Sequence, residues 1–166
     1  GDLKHQPLGI GSINAPKQVV FSGASKPVEY VIQLAKKRRI RSIELQVSAA
    51  FHSPQMTKAR SQIESRLSSA PFRKPCIPIY TNYDGSPVTT SDEIKTALIN
   101  QTDNTVQWST CIANMHEAGA QKFVAIGPAK GVIGQLQQNL KSIDKSNFTL
   151  LATWEHIKQY VETNKD

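Results

Sequence analysis

The stretch KQVVFSGASKPVEYVIQLAKKRRIRSIELQV, Lys17–Val47, decides the fold class. Its first part, KQVVFSG, is a short apolar run closed by Gly23 and reads as a strand. Ser25 stands where a helix N-cap belongs, and Pro27 falls in the first helical turn, where its missing N–H costs nothing. Val28, Val31, Ile32 and Ala35 follow at helical spacing. The last part, RSIELQV, alternates and places Ile43, Leu45 and Val47 on one face, the mark of a second strand. A β-α-β unit is therefore expected over roughly residues 18–47.

Outward from this unit, the residues before Lys17, with Pro7, Gly9 and Gly11, read as an extended lead-in. Beyond Val47 helices and strands keep alternating. Ser53-Pro54 opens a helix with Met56, Ala59, Ile63 and Leu67 toward a core, and CIPIY (Cys76–Tyr80) is a short strand. Asp84-Gly85 marks a turn, Ser91 caps a helix ending near Asn100, and another helix covers Val106–Ala118. KFVAIG (Lys122–Gly127) is a strand, after which Gly127-Pro128 turns the chain into a helix bearing Val132, Ile133, Leu136 and Leu140. FTLLA (Phe148–Ala152) gives a last strand. Thr153 caps a final helix with Trp154, Ile157 and Tyr160 on its buried face. The alternation predicts an α/β protein with mostly parallel pairing, in which functional residues collect where strands end and helices begin.

Composition narrows the function classes. With 166 residues, 39% hydrophobic and 20% charged, the chain can build a packed core and is not globally disordered. No apolar run approaches the roughly 18 residues of a membrane span, and GDLKHQPLG lacks the charged and apolar regions of a signal peptide. A soluble cytoplasmic protein is the expectation. Cys76 and Cys111 fit no zinc or redox spacing and read as reduced thiols. The net charge of +7 is densest at Lys36, Lys37, Arg38 and Arg39. Aromatics are only 7% and none interleave with that run, so a nucleic-acid platform is not expected. The run reads as a solvated helix end, with acidic proteins, phosphate-bearing ligands and nucleic acid as alternative partners.

Among candidate chemical groups, His52 sits at a strand-to-helix junction in VSAAFHSPQM (Val47–Met56), with small Ala49 and Ala50 beside it. An imidazole there can exchange a proton near neutral pH, although on position alone a lone histidine is more often structural. A base needs a nucleophile, and the sequence contains no G-x-S-x-G elbow. GASKP (Gly23–Pro27) comes nearest but lacks the second glycine, and Ser25 is more simply a cap. His5, His116 and His156 show no metal-ligand spacing, so no metal is expected. GPAKG (Gly127–Gly131) matches neither phosphate-loop pattern; it reads as a tight turn, or else as amides offered to an anion. The acids are scattered, with no evident catalytic pair.

Taken together, NAPKQVVFSG (Asn14–Gly23), VSAAFHSPQM, VQW (Val106–Trp108) and IGPAK (Ile126–Lys130) with Gly134 form a recognisable set. Their order and spacing resemble the malonyl-CoA:acyl carrier protein transacylases and the acyltransferase domains of polyketide synthases. The resemblance runs from about residue 12 to residue 140. It implies malonyl transfer from coenzyme A to the phosphopantetheine thiol of acyl carrier protein through an acyl-serine, with no permanently bound cofactor. It also implies part of an α/β-hydrolase-like large subdomain, residues 51–166, and part of a ferredoxin-like small subdomain, residues 1–50.

Position by position, the resemblance makes His52 the catalytic base, and Gln101 the residue whose main-chain carbonyl orients it. Phe51 becomes the residue narrowing the acyl pocket against an α-methyl branch, since AAFH is closer to the malonyl than to the methylmalonyl pattern. Asn14 and Asn82 fall at family asparagines near the cleft. Lys36, Lys37, Arg38 and Arg39 become candidates for docking acidic carrier protein. Ala125, Ala129 and Gly131 depart from the commoner family residues, which bears on local packing. The G-H-S-x-G nucleophile, the arginine for the malonyl carboxylate and the glutamine loop belong to a family half that these residues do not include. That implies another segment or chain carrying the serine. Two rival readings follow: an acyltransferase or acyl hydrolase of a polyketide pathway, and a non-catalytic fragment that docks carrier protein.

Overall fold

A computed structural model of the chain describes residues 6–164. The segment expected as a lead-in is a strand, β1 (Leu8–Ala15), which forms an antiparallel hairpin with β2 (Gln18–Gly23). Pro16 opens the connection; its fixed negative φ excludes the primed turns that suit strand twist, and the register shifts between Ile13 and Ala15. On its other side β1 is bridged by Val106, which gives its N–H to Gly11 O and accepts from Ile13 N, both at 2.9 Å. Gly9 and Gly11 weaken the strand signal in the sequence, and a partner nearly a hundred residues away leaves no local mark.

Helix α1 (Ser25–Lys37) follows as expected, but its N-cap is Ala24 and Ser25 is the first helical residue, with no side-chain cap. The second strand of the expected β-α-β unit does not form. Residues 41–47 have no ladder partner among the described residues, and Ile43, Leu45 and Val47 are 67%, 54% and 61% exposed. Alternation specifies two faces, but a strand also needs a neighbour to take its N–H and C=O groups.

Ser53 caps a short 3-10 turn, Pro54–Met56, that leads into α2 (Thr57–Ser68). The apolar positions expected to bury on α2 are at most half-buried. Only Ile79–Tyr80 of the CIPIY run pairs as β3, antiparallel to β4 (Pro87–Val88). Between them the Asp84 carboxylate accepts from Thr81 Oγ1 at 2.8 Å and Ser86 N at 3.0 Å. Gly85 follows at φ +78°, where a Cβ would lie 2.7 Å from Thr110 Cγ2. Helix α3 (Ser91–Asn100) begins at the residue expected to cap it, and the cap is Thr90 instead: Thr90 Oγ1 accepts from Glu93 N while the Glu93 carboxylate accepts from Thr89 N and Thr90 N.

The core sits in the C-terminal part. Helix α4 (Trp108–Glu117), β5 (Phe123–Ile126), α5 (Lys130–Asn139) and β6 (Phe148–Leu151) enclose Ile112, Phe123, Leu136, Leu140 and Ile143. The Phe123 and Phe148 rings lie 5.9 Å apart between centroids on the parallel pair β5–β6. This β5–α5–β6 unit carries the one parallel pairing among the described strands; the other two pairs are antiparallel, against the expectation of mostly parallel strands. Thr153 caps α6 (Trp154–Thr163) as expected, and of the face meant for burial Ile157 and Tyr160 are half-buried while Trp154 is 64% exposed. Among the described residues no helix is long and apolar enough to cross a membrane.

Candidate active site

His52 stands where the exposed 41–51 stretch turns into the Ser53 cap. Its φ of +58° lies in the left-handed region, which side chains other than glycine enter infrequently and histidine more readily than most. Ser53 locks the exit from this turn. It is 1% exposed, accepts from Gln55 N at 3.3 Å and donates its hydroxyl to Ala50 O at 2.6 Å, so its buried hydroxyl is matched both as donor and as acceptor.

The ring is fixed from across the fold, where Nδ1 meets Gln101 O at 2.8 Å. A carbonyl only accepts, so Nδ1 carries the proton and the neutral ring keeps its lone pair on Nε2. The acceptor is available because Gln101 ends α3, whose last carbonyls have no helical partner. Each is matched: Leu98 O by Thr102 Oγ1, Ile99 O by Thr102 N, Asn100 O by Asn104 Nδ2, and Gln101 O by His52. The C-terminal end of α3 therefore faces the imidazole through a main-chain carbonyl. Among the described residues Nε2 has no hydrogen-bond partner. Together these features equip His52 to accept a proton and hand it on.

A second set of contacts braces α2, which follows His52, against the end of α3, where Gln101 lies. Thr57 Oγ1 donates to Asp103 Oδ2 at 3.2 Å, and Arg60 Nη2 to Asn100 Oδ1 at 2.8 Å. Arg60 Nε lies 3.5 Å from Asp103 Oδ1. None of Thr57, Arg60 and Asp103 stood out in the sequence, because pairs more than 40 residues apart carry no periodic signal.

The other sequence candidates divide. Phe51 directly precedes His52 and is 46% exposed. Asn14 is engaged at the far end of β1, accepting from Ser12 Oγ at 2.5 Å through its side chain and from Asn139 Nδ2 at 2.8 Å through its carbonyl. Asn139 also takes the hydroxyl of Ser109. Asn82 O accepts from Gln107 N at 2.7 Å. Among the described residues neither asparagine is hydrogen-bonded to His52. Lys36 and Lys37 occupy the last turn of α1, followed by Arg38 and Arg39, all four exposed.

Other titratable groups have structural partners. His116 Nδ1 contacts Ala120 O at 3.1 Å, and His156 Nδ1 accepts from Ala152 N at 3.3 Å; His5 lies outside the described residues. Cys76 is exposed and Cys111 buried, and both are free. The Cys111 thiol donates to Thr81 O at 3.0 Å; burial, with the nearby Asp84 charge, pushes it up to about 11, so it is no thiolate nucleophile near neutral pH. Gly127, at φ +101°, makes GPAKG a tight turn into α5. Among the described residues no group of three His, Cys, Asp or Glu side chains could hold a metal ion. One surface hollow lies along α2 and another among Tyr83, Asp84, Asn104, Thr105 and Gln107; neither is lined by His52 or Phe51.

Comparison with known proteins bears on this arrangement. The family described as "Acyl transferase domain" matches residues 5–164. A malonyl CoA-acyl carrier protein transacylase of Synechocystis is 32% identical over 138 residues, covering 83% of this chain and 46% of its own length. A polyketide biosynthesis malonyl CoA-acyl carrier protein transacylase of Bacillus subtilis is 30% identical over 139 residues, covering 82% of this chain and 48% of its own. The crystal structure of a malonyl-CoA:acyl carrier protein transacylase from Xanthomonas oryzae superposes with a TM-score of 0.85 at 27% identity, over 95% of this chain and 50% of that one. The chain thus spans about half the length of the curated relatives it matches. Because the family pattern runs through nearly all of its residues, this chain belongs to the acyl transferase domain family.

Proposed function

We propose that this chain supplies the general base and part of the acyl pocket of a malonyl-CoA:acyl carrier protein transacylase, another segment or chain supplying the serine. The observation that carries this reading is the His52 Nδ1–Gln101 O contact of 2.8 Å, which leaves Nε2 as the accepting nitrogen. In the first half-reaction the serine hydroxyl attacks the malonyl thioester carbonyl while His52 Nε2 takes its proton. The carbon–sulfur bond then breaks and the proton passes to the departing coenzyme A thiolate. In the second, the phosphopantetheine thiol of the carrier protein gives its proton to His52 and attacks the acyl-serine. His52 then returns the proton to the serine oxygen. Gln101 fills the orienting role that a carboxylate fills in other triads, through its main-chain oxygen. No permanently bound cofactor takes part.

Within this reading residues 1–50 belong to a ferredoxin-like small subdomain and residues 51–166 to an α/β-hydrolase-like large one. Asn14 and Asn82 lie toward the cleft, and the exposed Lys36–Arg39 run attracts the acidic surface of the carrier protein. Incubation of the chain alone with malonyl-CoA is expected to leave its intact mass unchanged, whereas an added segment bearing G-x-S-x-G becomes malonylated. A covalent malonyl adduct on this chain alone would overturn the proposal.

Phe51 is proposed to set acyl selectivity. In the assembled enzyme, Phe51→Ala is expected to lower the preference for malonyl-CoA over methylmalonyl-CoA by about tenfold or more, the usual scale for one methyl-sized group in an apolar pocket. The ratio of the two kcat/KM values measures it, and an unchanged ratio removes Phe51 from the pocket.

A further inference from the structure

We infer that Ser22 is a positioning residue for the base, acting through the peptide bond between Phe51 and His52; the inference rests on the proposed role of His52. The Ser22 hydroxyl, on β2, donates to Phe51 O at 2.6 Å. That carbonyl belongs to the peptide plane about which the φ of His52 is measured. Fixing the plane, together with the φ of +58°, fixes the direction in which the Cα–Cβ bond of His52 leaves the chain.

The placement of this contact gives it weight. Among the described residues, two hydrogen bonds join the 41–52 stretch to elements distant in sequence: Ser22 to Phe51 O and His52 Nδ1 to Gln101 O. Ser53 clamps Ala50 as well, but that contact spans three residues and moves with the loop. With Ser22 removed, the ring contact to Gln101 would have to hold both the imidazole and the loop that carries it. One hydrogen bond sets a distance and leaves rotation about χ1 and χ2 free.

The hairpin is built around this serine. A Cβ at Gly11 on the facing strand would lie 2.9 Å from Ser22 Cβ and 3.5 Å from Phe51 O. Glycine at 11 therefore lets β2 carry Ser22 close enough to the loop, and a larger residue would push the hydroxyl off its acceptor. Thus Gly11 and Ser22 act on the base through the main-chain carbonyl of Phe51, without touching any reacting atom.

The ring nitrogens of His52 provide a readout separate from catalysis. In nitrogen-15 spectra of the full 166-residue chain, the parent protein is expected to show His52 predominantly as the Nδ1–H tautomer. Ser22→Ala is expected to draw the two ring-nitrogen shifts together, as in an imidazole averaging its tautomers. Ser22→Thr, which keeps a hydroxyl, restores the parent pattern. Gly11→Ala, which retains the serine but displaces it, reproduces the averaged one and serves if Ser22→Ala folds poorly. In the assembled enzyme Ser22→Ala lowers kcat by tenfold or more with the KM for malonyl-CoA little changed. Parent-like His52 shifts in both Ser22→Ala and Gly11→Ala would overturn the inference. Full transfer activity in a His52→Ala enzyme would instead overturn the base assignment and leave the spectroscopic result standing.

Discussion

Replacing His52 by alanine in the assembled enzyme is expected to lower kcat/KM for malonyl transfer to carrier protein by about two to four orders of magnitude, the range for loss of a positioned general base. In the proposed mechanism the loss falls on both half-reactions, because one imidazole serves the serine first and the carrier thiol afterwards. Steady-state transfer of labelled malonyl groups measures the whole effect, and the rate at which acyl-enzyme accumulates isolates the first step. His52→Gln should be nearly as inactive: it preserves a polar side chain but brings no basic nitrogen. Loss of the Gln101 contact also frees a helix-terminal carbonyl, which water can satisfy at this half-buried position. Stability should therefore change far less than rate. A variant that keeps more than a tenth of the parent rate would mean that the proton leaves the serine by another route.

The second large effect concerns stability. Ile112→Ala is expected to cost about 2–5 kcal/mol in urea unfolding, the usual range for truncating a large buried aliphatic side chain. Ile112 is 0% exposed and packs with Phe123, Leu136, Leu140 and Ile143, so truncation leaves a cavity walled by two helices and a parallel strand pair. Against a total stability of about 5–15 kcal/mol, that is a large fraction of what holds a domain together. Ile43→Ala is the matched control: an isoleucine of the same volume, 67% exposed, should change stability by no more than about 0.5 kcal/mol. Equal costs at the two positions would show that the 41–47 stretch is buried in solution.

That pair of isoleucines also shows how far the sequence could be read. Helical spacing at Val132, Ile133, Leu136 and Leu140 led directly to α5, and the apolar runs on either side became the two strands of its βαβ unit. There pattern and partner lie within thirty residues. The alternation of Ile43, Leu45 and Val47 was equally regular and formed no strand, because periodicity describes one segment and pairing needs two. The opposite failure occurred at β1, where glycines hid a strand whose neighbours are β2 and Val106.

The site divides in the same way. His52 was visible as a strand-to-helix junction histidine; the Ser-Pro helix start after it is in the fold, but the strand expected before it is not. Its link to Gln101 came from family resemblance alone. The contacts of Ser22, Thr57, Arg60 and Asp103 were invisible, since a single hydrogen bond between segments 29 to 46 residues apart imposes no pattern on the residues around it.

The acceptor that orients His52 is a main-chain atom, so every amino acid placed at position 101 delivers the same oxygen. Side-chain replacement there leaves the orienting group intact, and a substitution scan would pass over the position as silent. Proline is the exception in principle, since it removes the N–H that Gln101 gives to Ala97 O at 2.9 Å and disturbs the end of α3. Genetic sensitivity is thereby displaced onto residues that decide where α3 stops, such as Thr102 and Asn104, whose side chains cap its neighbouring carbonyls. Orientation of the base is in this sense written into the backbone path, which tolerates drift in composition that a carboxylate partner would not.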